Sequence, residues 1–200
     1  MMRRDHCFEK IAELRGEAIV VSTYSSAFEW RRAAPSPLNY FSVGAMGQAS
    51  SHALGLALGL PDQKVIVLDG DGSLLMNLSS LVTIAEAAPA NLIHFVAENG
   101  CYEANGSHPI PGRDRVDFAG LARAAGYAEV FEFDGLNRFA SELPRVLTTP
   151  GPVFACLKIV AGEPPELDYE WLHSQPVRHD FKDAIRPFIA ARDEKEKDRR

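Results

Sequence analysis

The stretch that most constrains this chain is residues 64–102, KVIVLDGDGSLLMNLSSLVTIAEAAPANLIHFVAENGCY. It opens with an apolar run of strand length that breaks at Gly70-Asp71-Gly72-Ser73. The spacing that follows predicts a helix over 74–88, stopped by Pro89. A second apolar strand, 92–97, ends in Glu98-Asn99-Gly100-Cys101-Tyr102. Strand, glycine turn, helix, strand and polar turn make a βαβ unit. Both turns then fall at the same carboxyl edge of a parallel sheet, where open α/β folds bind ligands. The expected fold is α/β, three layers (α/β/α) around a central, mostly parallel sheet.

The two turns carry specific chemistry. Gly70 and Gly72 let the backbone approach a bulky anion, and Ser73 sits where a helix start would present free N–H groups. Asp71, between the glycines, would repel a phosphate unless a divalent cation lay between them. Magnesium takes oxygen ligands, commonly one or two from protein and the rest from phosphates and water. Asn99 offers a side-chain carbonyl oxygen, and the Cys101 backbone carbonyl a further one. Tyr102 adjoins the same turn. The pattern points to a metal–diphosphate site.

Gly70-Asp71-Gly72, with Asn99 closing the span, resembles the signature of thiamine-diphosphate-dependent enzymes. The resemblance implies that Asp71, Asn99 and the Cys101 carbonyl hold Mg2+ on the cofactor's diphosphate. The family usually shows two consecutive asparagines, and here Glu98 takes the first place. Residues 39–60, NYFSVGAMGQASSHALGLALGL, add a second match. Read alone, their small side chains fit a helix packed tightly on a sheet. In decarboxylases of this family a loop of this form sets a large apolar side chain under the bent cofactor. That assigns Gly44, Ala45 and Met46 to cofactor binding, and the unbranched, polarizable Met46 suits the wedge. The arrangement over about residues 17–160 is most similar to sulfopyruvate decarboxylase β subunits and to the matching domain of phosphonopyruvate decarboxylases.

The resemblance implies a β-type subunit of a heteromeric 2-oxo acid decarboxylase, a carboxy-lyase using thiamine diphosphate and Mg2+. In the family a second, pyrimidine-binding domain supplies the glutamate that activates the cofactor. The 200 residues are taken up by one diphosphate domain, assigned to 1–192, with 193–200 as a charged, disordered tail. A pyrimidine-domain α subunit is therefore the expected partner, in a heterodimer or heterotetramer, and no catalytic side chain is assigned here. An acetolactate-synthase-like carboligase, an acyloin lyase subunit and a non-catalytic cofactor-binding module are the alternatives.

The rest of the chain fills in the domain. A net charge of −6 argues against a nucleic-acid binder. The start, MMRRDHCFEK, lacks the apolar stretch of a signal peptide, and no run reaches a membrane span, so a cytoplasmic location is expected. Three cysteines without metal spacing are expected as reduced thiols. Helices are expected over 5–15, 27–33, 117–125, 136–147 (interrupted near Pro144) and 181–191, and strands over 18–22, 128–133 and 153–160. Thr23 to Ser26 read as a polar turn whose hydroxyls could meet a ligand, with helix capping as the commoner role. His52 and His94 read as packed histidines, and Trp171 and Tyr169 as packing back or onto a partner. The Gly- and Pro-rich segment 103–116 reads as a loop whose Ser107 and His108 could line a substrate pocket, with Arg113 or Arg115 near an anionic group.

Overall fold

The computed structural model describes residues 1–44, 46–162 and 168–198. Six parallel strands form the central sheet: β1 (Ile19–Ser22), β2 (Asn39–Phe41), β3 (Val65–Gly70), β4 (Leu92–Glu98), β7 (Glu129–Phe133) and β8 (Val153–Lys158). Their spatial order is β2-β1-β3-β4-β8-β7. β3 and β4 occupy the centre, and both are almost entirely buried. A strand covered on both faces needs no polar alternation, which is why 65–68 reads as a continuous apolar run and 92–97 is interrupted only by His94.

One layer sits on each face. On the first, α1 (Arg4–Leu14), α2 (Tyr24–Ala33) and α7 (Leu136–Thr148) bring Phe8, Trp30 and Phe139 against Val20, Ile66, Leu68 and Phe95. On the second, α3 (Ala49–Gly59), α5 (Ser80–Ala87), α6 (Phe118–Ala125) and α9 (Gln175–Asp198) cover Val21, Val67, Val96 and Phe154. The remaining helices are α4 (Asp71–Met76) and α8 (Tyr169–Leu172). The three-layer α/β/α expectation holds.

Several elements differ from the sequence reading. The helix expected over 74–88 is two helices, α4 beginning at Asp71 itself and α5 beginning at Ser80. Asn77 breaks it: its backbone N–H turns back to the Leu74 carbonyl, and its side chain donates to the Gly47 carbonyl at 2.9 Å. Thr23 precedes α2 but does not cap it. Its hydroxyl donates to the Ser42 carbonyl at 2.8 Å, and α2 begins at Tyr24 rather than residue 27. β2, too short and too close to Pro35 and Pro37 to stand out in sequence, adds an edge strand beside β1.

α7 runs unbroken through Pro144. An interior proline costs about 3 kcal/mol, but Phe139, Leu143, Val146 and Leu147 are buried on the same helix. At about 1.5–3 kcal/mol each, their packing prevails. α9 is longer than expected and continues to Asp198, through most of the segment read as a disordered tail. Segment 103–116 is not wholly loop: β5 (Cys101–Tyr102) and β6 (His108–Pro109) form a small antiparallel hairpin around a 3₁₀ turn, Glu103–Asn105.

Candidate functional site

The chain leaves β1 toward β2 on one side and returns as β3 on the other, so the order reverses between β1 and β3. Open parallel sheets carry a crevice at that switch point, beyond the carboxyl ends of the strands. A cleft lies there. It is lined by Met46, Gly70, Ser73, Ala97, Asn99 and Tyr102, all from the expected turns and loop except Ala97, at the end of β4. Residues 23–26, Arg4 and Glu103 complete its wall.

Asp71 lies beneath this cleft and is 2% exposed. One carboxylate oxygen accepts from the Gly72 N–H at 2.7 Å, the other from the Asn99 and Gly100 N–H groups at 3.0 and 2.6 Å. The two turns, 28 residues apart in sequence, are thus locked together by one side chain. Asn99 Oδ1 accepts from the Cys101 N–H at 2.9 Å, which closes the turn over residues 99–101. Burial pushes the Asp71 carboxyl up to about 6, against the pull of the Gly100, Gly72 and Asn99 N–H groups, and Glu98 adds to the rise by like-charge repulsion. A buried carboxylate of this kind favours a cation beside it.

A metal and a diphosphate fit what is present. The expected donor set, one carboxylate, one amide oxygen and one main-chain carbonyl, consists of hard oxygens of the kind Mg2+ takes. A Cβ built on Gly70 meets nothing within 4 Å, so this glycine opens directly onto free space in the cleft. Gly72 has a different role. A Cβ there would stand 2.5 and 2.7 Å from the Tyr102 ring, so its missing side chain makes room for Tyr102 rather than for an anion.

The Met46 loop is tied to the same turn. Ser73 Oγ accepts from the Gly47 N–H at 3.0 Å, and Gly47, at φ +82°, sits where a Cβ would press on Asn77 at 2.9 Å. Gly44 lies in the same loop, exposed and at φ +102°, away from the cleft wall. Ala45 lies outside the described residues.

Ser107 and His108 do not reach the cleft. Both are exposed on the β5–β6 hairpin, where Ser107 turns at φ +58°. Arg113 is also exposed, but its side chain packs over Gly100. Glu98 is accounted for: the Cys156 thiol donates to it at 2.8 Å, and burial and then Glu98 push that thiol up.

His94 is packed as read, whereas His52 is exposed and held on one side. His94 is fully buried, its Nδ1 3.1 Å from the Tyr127 hydroxyl and its Nε2 3.4 Å from Asp69 Oδ2. His52 Nδ1 meets Ser42 Oγ at 2.9 Å, and its ring edge meets Tyr40. Trp171 packs back, with the Arg31 guanidinium 3.5 Å over its ring. The three cysteines are free and buried. No helix among the described residues is long and apolar enough to cross a membrane.

The family described as "Thiamine pyrophosphate enzyme, C-terminal TPP binding domain" matches residues 21–155, which contain both turns and the Met46 loop. The chain belongs to this family. Among its relatives, the sulfopyruvate decarboxylase subunit beta of Methanothermobacter thermautotrophicus is 36% identical over 163 residues, covering 81% of this chain and 84% of the relative. A phosphonopyruvate decarboxylase of Streptomyces viridochromogenes is 39% identical over 153 residues. That match takes in 76% of this chain but only 38% of the larger protein. A solved thiamin diphosphate-dependent enzyme from Mycobacterium smegmatis shares the fold at TM-score 0.68 and 20% identity, over 80% of this chain and 32% of the other.

Sequence reasoning missed part of the cleft. The Thr23-Tyr24-Ser25-Ser26 run lines the cleft, in keeping with the ligand-facing alternative for its hydroxyls rather than with capping. Arg4 and Glu103 left no local signal, because they are 99 residues apart and meet only in the folded chain.

Proposed function

We propose that this chain is the diphosphate-binding, β-type subunit of a thiamine-diphosphate- and Mg2+-dependent 2-oxo acid decarboxylase of the sulfopyruvate/phosphonopyruvate type. The observation that carries the proposal is the lock between Asp71 and the 99–101 turn, set at the switch point of a family domain. Two relatives named as decarboxylases support the reaction class. The relative spanned along 84% of its length is named a beta subunit, which supports a separate partner.

In this proposal Asp71, Asn99 Oδ1 and the Cys101 carbonyl hold the metal, and Gly70 leaves room for the diphosphate. Met46 supports the bent cofactor from the loop fastened by Ser73 and Asn77. When bound, the cofactor supplies an electron sink for the carbon left by departing carbon dioxide. The chain's own side chains bind, bend and orient it. The glutamate that activates the cofactor comes from a pyrimidine-domain α subunit, so the chain alone is inactive.

The test is calorimetric titration of thiamine diphosphate with and without Mg2+ into the chain, alone and with its candidate partner, beside Asp71→Asn. Binding that requires Mg2+, tightens with partner and is lost in the variant is the expected result. Absence of binding in every setting overturns the proposal. Product analysis with 2-oxo acids then separates decarboxylation from carboligation.

A further inference from the structure

A buried ion cluster forms one wall of the cleft, and nothing in the proposed function uses it. Arg4, in the first turn of α1, is 7% exposed, and Glu103, just past β5, is 5% exposed. Arg4 Nε and Nη2 donate to the two oxygens of Glu29 on α2, at 2.8 and 2.9 Å. Arg4 Nη1 donates to Glu103 Oε2 at 2.6 Å. The other Glu103 oxygen accepts from the Gly162 N–H at 3.2 Å. A planar guanidinium serves two carboxylates at once with a fixed fork, which a lysine ammonium cannot do. Charges this buried are tolerated only when their hydrogen bonds are met, so the positions of both glutamates are narrowly specified.

Glu103 follows Cys101 and Tyr102 directly. Segment 99–103, paired with β6 through Cys101 and Tyr102, is therefore pinned to the rest of the domain at both ends: by Asp71 at the Asn99 and Gly100 N–H groups, and by Arg4 at Glu103. The Cys101 carbonyl lies between the two pins. With the second pin gone, the carbonyl and the hairpin that carries it lose their tie to α1 and are held at the Asp71 end. We infer that Arg4 is a positioning residue of this site: through Glu103 it sets where the Cys101 carbonyl lies relative to Asp71 and Asn99, and so governs how readily metal and diphosphate bind. The inference rests on the proposed function.

The test titrates Mg2+ at fixed thiamine diphosphate into the full chain with its partner, for wild type, Arg4→Lys, Glu103→Gln and the double variant. Circular dichroism at the titration temperature follows folding. Each single variant should need roughly ten- to hundredfold more Mg2+, the range for residues that orient metal ligands. At saturating Mg2+, cofactor binding should return to the wild-type level. The double variant should be no worse than the poorer single, because both substitutions break one linkage.

A purely structural role predicts lower melting temperatures with an unchanged Mg2+ requirement in the folded protein, and that result overturns the inference. So do additive losses in the double variant. If Arg4→Lys does not fold, Glu103→Gln, which keeps shape and an acceptor for the guanidinium, decides alone. Wild type that binds no cofactor removes the proposed function and this inference together. Wild type that binds, beside variants that bind identically, removes the inference only.

Discussion

Gly70 and Gly72 stand two residues apart in one turn and are glycine for different reasons. Gly70 has extended backbone that any residue adopts, and open space where a Cβ would be. Gly70→Ala should therefore fold as wild type, within about 0.5 kcal/mol, while placing a methyl where the diphosphate is proposed to lie and weakening its binding. Gly72→Ala drives a methyl into the Tyr102 ring, an overpacking of the kind that costs about 1–3 kcal/mol. Urea melts paired with cofactor titration separate the two. A Gly70→Ala that destabilises, or a Gly72→Ala that does not, would contradict these assignments. Ser73 shows the same economy: its hydroxyl holds the Gly47 N–H, so a residue read for its place beside a phosphate also anchors the loop that carries Met46.

At the scale of elements, polar side chains and buried faces override local propensity in opposite directions. Asn77 ends α4 early because its amide is committed to Gly47, in the loop packed against that helix. Pro144 fails to end α7 because the face turned to the sheet is buried on both sides of it, while the proline itself is exposed. Its ring still denies the helix one backbone hydrogen bond. Pro144→Ala should raise stability by about 1 kcal/mol or more, restoring that bond and relieving the ring's clash with the preceding turn. A thermal melt checks this, and an unchanged or lower Tm would mean that the helix is bent around the proline in a way alanine does not share.

For the whole molecule, α9 is the last element and seals the second layer near the edge strand β2. Phe181 is buried against Tyr40, with ring centroids 5.2 Å apart, and Ile185, Phe188 and Ile189 pack behind it. Further along, the helix is held by an exposed pair, Lys195 Nζ to Asp62 Oδ2 at 2.8 Å. Phe181→Ala should cost about 3–5 kcal/mol. Removing residues 194–200 should cost less than about 1 kcal/mol, the range for an exposed ion pair. Chemical denaturation of both variants measures the contrast. Equal losses would show that the exposed half of α9 matters as much as the buried half.

The local pattern determined the parts that depend on neighbours in sequence: two apolar runs of strand length, the glycine and polar turns that end them, and hence a parallel α/β sheet with Asp71 and Asn99 at one edge. Periodicity and turn chemistry act over a few residues, so they are written where they act. What depended on contacts between distant segments was decided only in three dimensions. The Asn77 break answers to Gly47, the continuity of α7 to a buried face, the glycine at position 72 to the Tyr102 ring, and the wall of the cleft to a guanidinium that meets Glu103 from the far end of the chain. In each case a close contact between remote residues outweighs a local preference worth about 1–3 kcal/mol, and no reading along the chain contains that contact.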